Sequence, residues 1–257
     1  MCLKVNKIVT VTDREVIESL QGKVRLLYPL KSYSVGYLDY FDIQEIDDFV
    51  LINRLLTDTD IDNLTKILHD GKFQGIVFDD LGILEIIQDL KIEKILLLDH
   101  LACNHESINY YLDYVDSVVV SNDLTKEEIM KIVPLCKKKM IINVFGLKTL
   151  MYSRRKLVSN YQTHYGLLKE NIIQPNILDK HFIVVEDELG TKFYAYPYYN
   201  ALELLNLENI LYYWYDPILL KKTEILNLVD HEDINGITTD KIFLEQKCVY
   251  KVGDLDA

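Results

Sequence analysis

The sequence has few of the residues that mark secreted, disordered or zinc-binding proteins. Its 257 residues include only four cysteines, five prolines and ten glycines. Cys2, Cys103, Cys136 and Cys248 show no CxxC spacing, which excludes a zinc ribbon or a thioredoxin motif and disfavours a disulfide framework. With 49% hydrophobic and 26% charged residues, the composition also excludes a disordered chain. We therefore expect a folded protein with reduced cysteines.

Long apolar runs and positive charge are also scarce. No stretch is long enough to span a membrane, and the opening MCLKVNKIVTVTD lacks the regions of a secretory signal. These absences predict a cytoplasmic protein without a membrane partner. The net charge of -12 disfavours non-specific binding of nucleic acid. RNA remains a partner only at a local basic site.

Short apolar segments alternate with amphipathic ones along the chain, which is typical of β-α units around a parallel sheet. Eight such strands in about 250 residues favour an α/β fold of the (β/α)8 TIM-barrel-like type, as a single barrel domain over 1–257. A β-hairpin pattern around Gly190 interrupts the alternation of strands and helices and predicts an insertion at about 180–197. An open Rossmann-like sheet is the alternative, although no strand is followed by GxGxxG or a Walker loop. The predicted strands are 7–12, 24–29, 49–53, 75–78, 94–98, 117–120, 140–145 and 210–215.

The segment MIINVFGLKTLMYSRRKLVSNY, residues 140–161, carries the most informative pattern. Its first six residues predict a buried strand with one polar side chain, Asn143, before Gly146. From Leu147 the apolar positions recur with helical spacing, and Arg154 falls on that apolar stripe. A guanidinium there cannot lose its charge, so it needs a carboxylate or an anionic ligand. Both a structural ion pair and a binding role remain open.

Polar residues follow several predicted strands, at the end of a barrel where active sites lie. Asp79 and Asp80 could form an acid/base pair or hold an arginine such as Arg54 or Arg154, and the ion pair is favoured. His100 and His105 are poorly spaced for metal ligands, so we predict no metal and an N-cap role for Asn104. No serine or cysteine nucleophile can be matched with an activating base, so the catalytic residues stay unidentified.

Aromatic residues cluster in the last third of the chain, over 194–199 and 212–215. Such residues could stack bases or cover a partner. Burial in the core is the favoured interpretation, with an oligomer contact as the main functional use.

Three stretches resemble peptidase family U32, the collagenase-like proteins. NVFGLKTLMYSRRKLVSNY is similar to the hallmark segment of that family, which reads like VHG, a linker, YSG-R-C and LSNY. HLACNHESINYYLDYVDSVVVSNDLTKEEI and VVEDELGTKFY are similar to two further family patterns, a helix start and a hairpin. The stretches stand in the family's order and cover roughly 75–214.

The resemblance implies a barrel-like fold and a label of proteolysis. In several branches it also implies hydroxylation of tRNA or rRNA bases or of a quinone, with an iron–sulfur cluster on four cysteines. Thr149, Lys156, Ile172 and Asn176 stand at the expected cysteine positions, and none can replace a thiolate. Phe145 replaces the histidine of the HG pair. The resemblance therefore predicts a protein without the cluster.

These observations predict a short U32 protein without a cofactor, as an enzyme or enzyme subunit in tRNA or rRNA base modification or in peptide hydrolysis. The alternative is a non-catalytic binding protein or a partner subunit of a catalytic homologue, as a homo-oligomer or hetero-oligomer. The candidate substrate-binding residues are Asn53, Arg54, Asp79, His100, Asn104, Asn143, Tyr152, Ser153, Arg154, Arg155, Ser159 and Asn160.

Overall fold

A computed structural model describes residues 6–98, 101–177 and 180–246. The strands are β1 Lys7–Thr10, β2 Arg25–Pro29, β3 Phe49–Ile52, β4 Gly75–Phe78, β5 Glu93–Leu97, β6 Ser117–Val120, β7 Met140–Gly146, β8 Thr149–Ser153, β9 Ile172–Ile173, β10 Asn176–Ile177, β11 Lys180–Asp187, β12 Gly190–Ala195, β13 Tyr198–Asn200, β14 Ile210–Asp216 and β15 Thr239–Asp240. The α-helices are α1 Ile17–Leu20, α2 Asp58–Asp70, α3 Gly82–Ile86, α4 His105–Tyr111, α5 Lys126–Ile132, α6 Leu157–Tyr165 and α7 Lys222–His231. Short 3-10 turns lie at Arg14–Val16, Ile43–Glu45, Val133–Leu135, Leu202–Leu204 and Ile242–Leu244.

Eight parallel strands close into a barrel ringed by helices. Strands β1 to β7 pair in sequence order, and β14 pairs in parallel with both β7 and β1. The (β/α)8 TIM-barrel-like prediction is therefore confirmed, and the open Rossmann-like alternative is wrong because β14 pairs with both β1 and β7 and so leaves no open edge between them. The hydrophobic residues of the barrel strands are buried almost throughout, as expected when helices cover a parallel sheet.

Local sequence signals set the helix boundaries. Thr57 begins α2 and Thr125 begins α5 in capping boxes with Asp60 and Glu128. Asn104 accepts a hydrogen bond from the Ser107 amide and begins α4, as predicted. None of the helices in the described ranges is both long and apolar enough to cross a membrane.

A long insertion separates β7 from β14. Its small sheet has the order β10-β11-β12-β8, with β9 also paired to β11, and the predicted hairpin is formed by β11 and β12. The helix predicted from Leu147 is wrong: 149–153 form strand β8, hydrogen-bonded to β12, and the helix begins only at Leu157. The helical spacing of Leu150 and Met151 was misleading because both are exposed, at 41% and 44%. Pairing with a distant strand overrides such a local pattern.

The loop after β2 holds the hairpin against the barrel. Tyr194 donates to the Gly36 carbonyl at 2.9 Å, and Tyr40 donates to the Asp187 carboxylate. Gly36 has a positive φ of 90°, and a Cβ there would lie 2.2 Å from the Tyr194 hydroxyl oxygen and 2.6 Å from Lys192 Cδ. Glycine is thus required where the two segments meet.

The aromatic run predicted to be buried is buried. Tyr194, Tyr199 and Tyr215 are among the largest fully buried side chains, and Phe145 stacks on Tyr198 with ring centroids 5.4 Å apart. Aromatic packing therefore joins the insertion to the barrel wall.

Phe145→Ala tests this packing. Phe145 is completely buried, so its removal leaves a cavity, and the free energy of unfolding should fall by about 3–5 kcal/mol in urea titrations. Leu135→Ala is the control, since Leu135 is 56% exposed and its replacement should change stability by less than about 0.5 kcal/mol. Equal effects from both variants would contradict this packing.

Candidate binding site at the barrel mouth

A cavity of about 110 Å³ opens at the carboxyl ends of the barrel strands. Barrel strands supply its floor, while the loop after β2, strand β8 and strand β12 supply its walls. The lining is mixed in polarity and charge. Its members are Tyr37, Asn53, Leu55, Asp79, Leu97, Val119, Asn122, Asp123, Asn143, Leu147, Lys148, Thr149, Tyr152, Lys192, Trp214 and Asp216.

Two neighbouring strands place polar groups on the floor. Asn143 lies on β7, and its partner in the register, Trp214, lies on β14. The Trp214 indole donates to Thr10 Oγ1 at 2.9 Å, which fixes the ring. The Asn143 side-chain oxygen is buried, and no group in the described ranges donates a hydrogen bond to it. A buried acceptor without a donor costs about 1–3 kcal/mol, so Asn143 is prepared for a donor from a ligand.

Tyr37 and Asp216 both line the cavity and are in contact with each other. The Tyr37 hydroxyl donates to Asp216 Oδ2 at 3.3 Å, and both residues are buried. Burial, and then the Asp216 carboxylate, raise the pKa of Tyr37 well above its ordinary value. Tyr37 therefore remains a neutral donor at every physiological pH.

Two buried lysines contribute positive charge. Lys148 is 6% exposed, forms an ion pair with Asp123, and lies 3.3 Å from the Asn122 carbonyl oxygen. Lys192 is 7% exposed, and its ammonium lies 5.9 Å from the ring centre of Tyr37 and 5.4 Å from that of Tyr194. Aromatic faces stabilise a desolvated ammonium, so Lys192 keeps its place over the rings.

The wall strand β8 is locked to the turn of the hairpin. The Tyr152 hydroxyl donates to the Leu189 carbonyl at 3.0 Å, and burial raises the pKa of Tyr152. Gly190, with φ of 142°, packs so closely that a Cβ would lie 2.1 Å from the Ser153 carbonyl oxygen. Tyr152 and Ser153 are thus held by backbone contacts of the hairpin.

A buried carboxylate from the hairpin caps helix α6. Glu186 accepts from the amides of Val158 and Ser159 at 2.7 and 2.9 Å, from the Ser159 hydroxyl, and from Thr191 Oγ1 at 2.7 Å. Burial alone would raise the pKa of Glu186, but the hydroxyl and amide donors outweigh it, and the pKa lies below its usual range. Ser159 is therefore occupied in holding the helix to the sheet.

The other predicted residues near the strand ends have structural partners. Asn53 accepts from the Val35 amide at 2.9 Å and so supports the loop after β2, although it also lines the cavity. Arg54 forms an ion pair with Asp60 in the first turn of α2. Asn104 lies in its N-cap position, and His100 lies outside the described residues.

The arginine pair does not lie where the sequence placed it. Arg154 and Arg155 follow β8 and are exposed, so the expectation of a guanidinium inside an apolar helical stripe is wrong. Neither forms an ion pair with a carboxylate in the described part of the chain, so of the two roles left open for Arg154 the structural ion pair is not formed there. Asn160 is likewise exposed on α6. The structure brings Asn53, Asp79, Asn143 and Tyr152 together at the cavity. It leaves Arg154, Arg155 and Asn160 outside the cavity.

Sequence reasoning missed most of the lining residues, among them the charged or hydrogen-bonding side chains of Tyr37, Lys148, Lys192 and Asp216. Asp216 follows the predicted strand 210–215, so its position was a usable signal, and Lys148 comes two residues after Gly146. Tyr37 and Lys192 arrive from a loop and a hairpin. No local pattern brings those two elements over the barrel mouth.

The positions expected to hold an iron–sulfur cluster do not fit one. Lys156 and Asn176 are exposed, and Thr149 and Ile172 lie on β8 and β9, which are three strand spacings, roughly 14 Å, apart. A cluster needs converging thiolates, and none of these side chains supplies one. Within the described ranges, no group of three or more His, Cys, Asp and Glu residues is arranged to hold a metal ion.

Comparison with known proteins gives one match. The family model of peptidase family U32 matches residues 37–168, which run from the loop after β2 to the residues just after α6. No curated protein and no solved structure matches the chain significantly.

Glu186→Gln tests the capping carboxylate. Hydrogen bonds to a charged group contribute about 1.5–3 kcal/mol, so unfolding at neutral pH should cost about 2 kcal/mol less in the variant. Because the folded-state pKa is lowered, this stabilisation is complete above the carboxyl's unfolded pKa of about 4.3 and is lost as the pH falls through the folded value. Urea titrations across acid and neutral pH measure the difference.

Glu188→Gln is the matched control, since Glu188 lies on the same hairpin but is exposed. It should unfold like the wild type at each pH. A pH-independent difference between Glu186→Gln and the wild type would show that the charge of Glu186 is not what holds α6.

Proposed function

Because the chain belongs to peptidase family U32, we propose that it uses the family's barrel to bind a single RNA base at the barrel mouth. In this role it acts in tRNA or rRNA base modification without an iron–sulfur cluster. The fold supports a site at this end, since barrel enzymes bind their ligands at the carboxyl ends of the strands.

The orphaned oxygen of Asn143 carries the proposal. It lies on the cavity floor without a donor from the described residues, and the same amide has an NH₂ group that can donate. A base edge presents donors and acceptors side by side, and an amide pairs with both at once. Asn143 is therefore suited to recognise a base edge.

The size and the aromatic lining of the cavity support one flat ring. At about 110 Å³ the space is well below the roughly 300–1,000 Å³ of sites for drug-sized ligands. Tyr37, Tyr152 and Trp214 line it, and proteins that extract a base from its strand hold it against such side chains. A single base enters, while the rest of its strand stays outside.

Peptide hydrolysis has less support than binding. Among the described lining residues there is no serine, cysteine or histidine, and Thr149 has no histidine beside it in that set. A hydroxyl needs an adjacent base to become a nucleophile. The lining instead offers amide, ammonium and aromatic groups, which bind.

Asn143→Leu tests base binding. The change removes the donor and the acceptor at similar volume, so nucleoside affinity should fall about tenfold or more while stability holds or rises. Isothermal titration with the common nucleosides measures the affinity, and urea titration measures stability. Asn160→Leu is the control, because Asn160 is exposed outside the cavity and its replacement should leave nucleoside affinity unchanged.

A nucleoside that binds Asn143→Leu as tightly as the wild type would refute recognition at this site. In the cell, mass spectrometry of tRNA and rRNA nucleosides from a strain lacking the gene should show a modification missing or reduced. An unchanged nucleoside profile would contradict a role in base modification.

A partner-subunit role is the second candidate, favoured by an apolar groove beside the cavity. Strand β8 forms one wall of the groove and the loops after β3, β4 and β5 form the other, and the two sites share lining residues such as Leu55 and Tyr152. Five large side chains in the groove are more than two-fifths exposed, which is typical of an interaction surface. They are Leu55, Leu81, Leu101, Leu150 and Met151.

This candidate predicts that the tagged chain, captured from its own host, brings down a U32 protein that carries the cluster cysteines. Leu81→Ser with Leu101→Ser should abolish the capture, because polar side chains there reduce the apolar area that the partner buries. Leu135→Ser is the control, since Leu135 is equally exposed on another part of the barrel. Capture of no U32 protein by the wild type would reject the partner role.

A further inference from the structure

We propose that the exposed face of helix α6 is a stacking platform for single-stranded RNA, formed by Tyr161 and Tyr165 beside the cations Arg154, Arg155 and Lys156. This tyrosine platform rests on the proposed function and extends it from one base in the cavity to the strand that carries that base.

The two tyrosines form a ready aromatic surface. They are one helical turn apart at i and i+4, with ring centroids 4.7 Å apart, and they are 57% and 61% exposed. Helix α6 packs on the small sheet through Val158 and Gln162 instead, so the rings contribute little to the core. Aromatic rings in water are available to bases, each of which has a flat face that stacks on them.

The local charge fits a polyanion although the whole protein is acidic. Residues 153–169 contain Arg154, Arg155, Lys156 and Lys169 and no aspartate or glutamate, while the full chain has a net charge of -12. All four cations are exposed, and none forms an ion pair with a described carboxylate. Free guanidinium and ammonium groups next to stacking rings are the two parts of a single-strand site.

The amino end of α6 does not itself bind the phosphate. The amides of Val158 and Ser159, which have no partner within the helix, already donate to Glu186. Phosphate contacts thus fall to the side chains of residues 154–156. Lys156 precedes Tyr161 by about 7.5 Å of helix rise, within the reach of one or two nucleotides.

The platform lies next to the base cavity along the chain. Tyr152 lines the cavity, and Arg154 follows it by two residues, or about 7 Å of extended chain. A strand lying over residues 154–165 can therefore deliver one of its bases to the cavity while its neighbours stack on the platform.

A second tyrosine pair on the same protein provides a matched control. Tyr110 and Tyr114 are 61% and 58% exposed, also with a spacing of four residues, and their ring centroids are 5.6 Å apart. Their neighbours Glu106 and Asp113 are acidic and exposed, and the nearby Lys137 is neutralised by its ion pair with Asp113, so this pair has less free positive charge than Tyr161 and Tyr165. The two pairs differ in local charge far more than in exposure.

The test measures binding of a fluorescent single-stranded oligouridylate by anisotropy. Tyr161→Ala with Tyr165→Ala should weaken binding about tenfold or more, because each stacked base contributes about 1–3 kcal/mol. Tyr161→Phe with Tyr165→Phe should restore it, since the rings remain. Tyr110→Ala with Tyr114→Ala should bind like the wild type. Weaker binding in both alanine pairs alike, or in neither, would overturn the platform.

Salt dependence tests the cations separately. Arg154→Ala with Arg155→Ala should reduce the slope of log affinity against log salt concentration by about 0.7 for each phosphate that the variant no longer neutralises. Lys137→Ala, which removes an exposed lysine paired with Asp113, should leave the slope unchanged. An unchanged slope in the arginine variant would reject phosphate binding at this face.

The two proposals fail in different ways. Nucleoside binding that depends on Asn143 reports on the cavity alone, because Asn143 lies on the cavity floor and not on α6. If nucleosides do not bind but oligouridylate binding still depends on Tyr161 and Tyr165, the base cavity fails and the platform stands. If nucleosides bind through Asn143 while the tyrosines leave oligonucleotide affinity unchanged, the platform fails and the cavity stands.

Discussion

The hydrogen bonds between β7 and β14 are the constraint on which the rest of the structure depends. These strands are separated by the longest insertion in the described chain, yet they pair over most of their length and close the barrel. The same two strands carry Asn143, Trp214 and Asp216 to the cavity floor. Because the insertion leaves from β7 and returns to β14, closing the ring also sets the insertion over the mouth. Barrel stability and site geometry thus share one set of interactions.

Residues of the segment that resembles the family's hallmark, together with the hairpin, hold the insertion together. Tyr152 bonds the hairpin turn, Ser159 bonds Glu186, and Thr191 receives the Leu157 amide at 3.0 Å. Hydrogen-bonded positions of this kind constrain a sequence whether or not a cofactor is present. The signature therefore accompanies the fold, whereas cluster binding depends on thiolates that Thr149 and Lys156 cannot provide.

The sequence predicted the elements with strong local signals and failed where distant parts meet. The eight barrel strands and the hairpin were visible because buried strands are continuous apolar runs and Gly190 marks a turn. Strand β8 was missed because its apolar spacing imitates a helix, and only pairing with β12 decides between them. The cavity was predicted only in part. Asn53 and Asp79 lie at the ends of predicted strands, and Asn143 and Tyr152 belong to the signature segment, but Lys192 and Tyr37 reach the cavity only through tertiary packing. The same limit placed Arg154 inside a helix that does not exist at that point.

The acidity of the protein makes the location of its cations informative. A uniformly basic surface binds any nucleic acid, and affinity then carries no information about the position of the strand. With a net charge of -12, most of this surface repels a phosphate backbone, and the segment 153–169 is one of the few stretches that carry several cations without a carboxylate. For the proposed RNA strand, the acidic remainder of the surface disfavours other positions. The proposed placement of one base at Asn143 then needs only a small attractive site, because most of the alternative positions repel the strand.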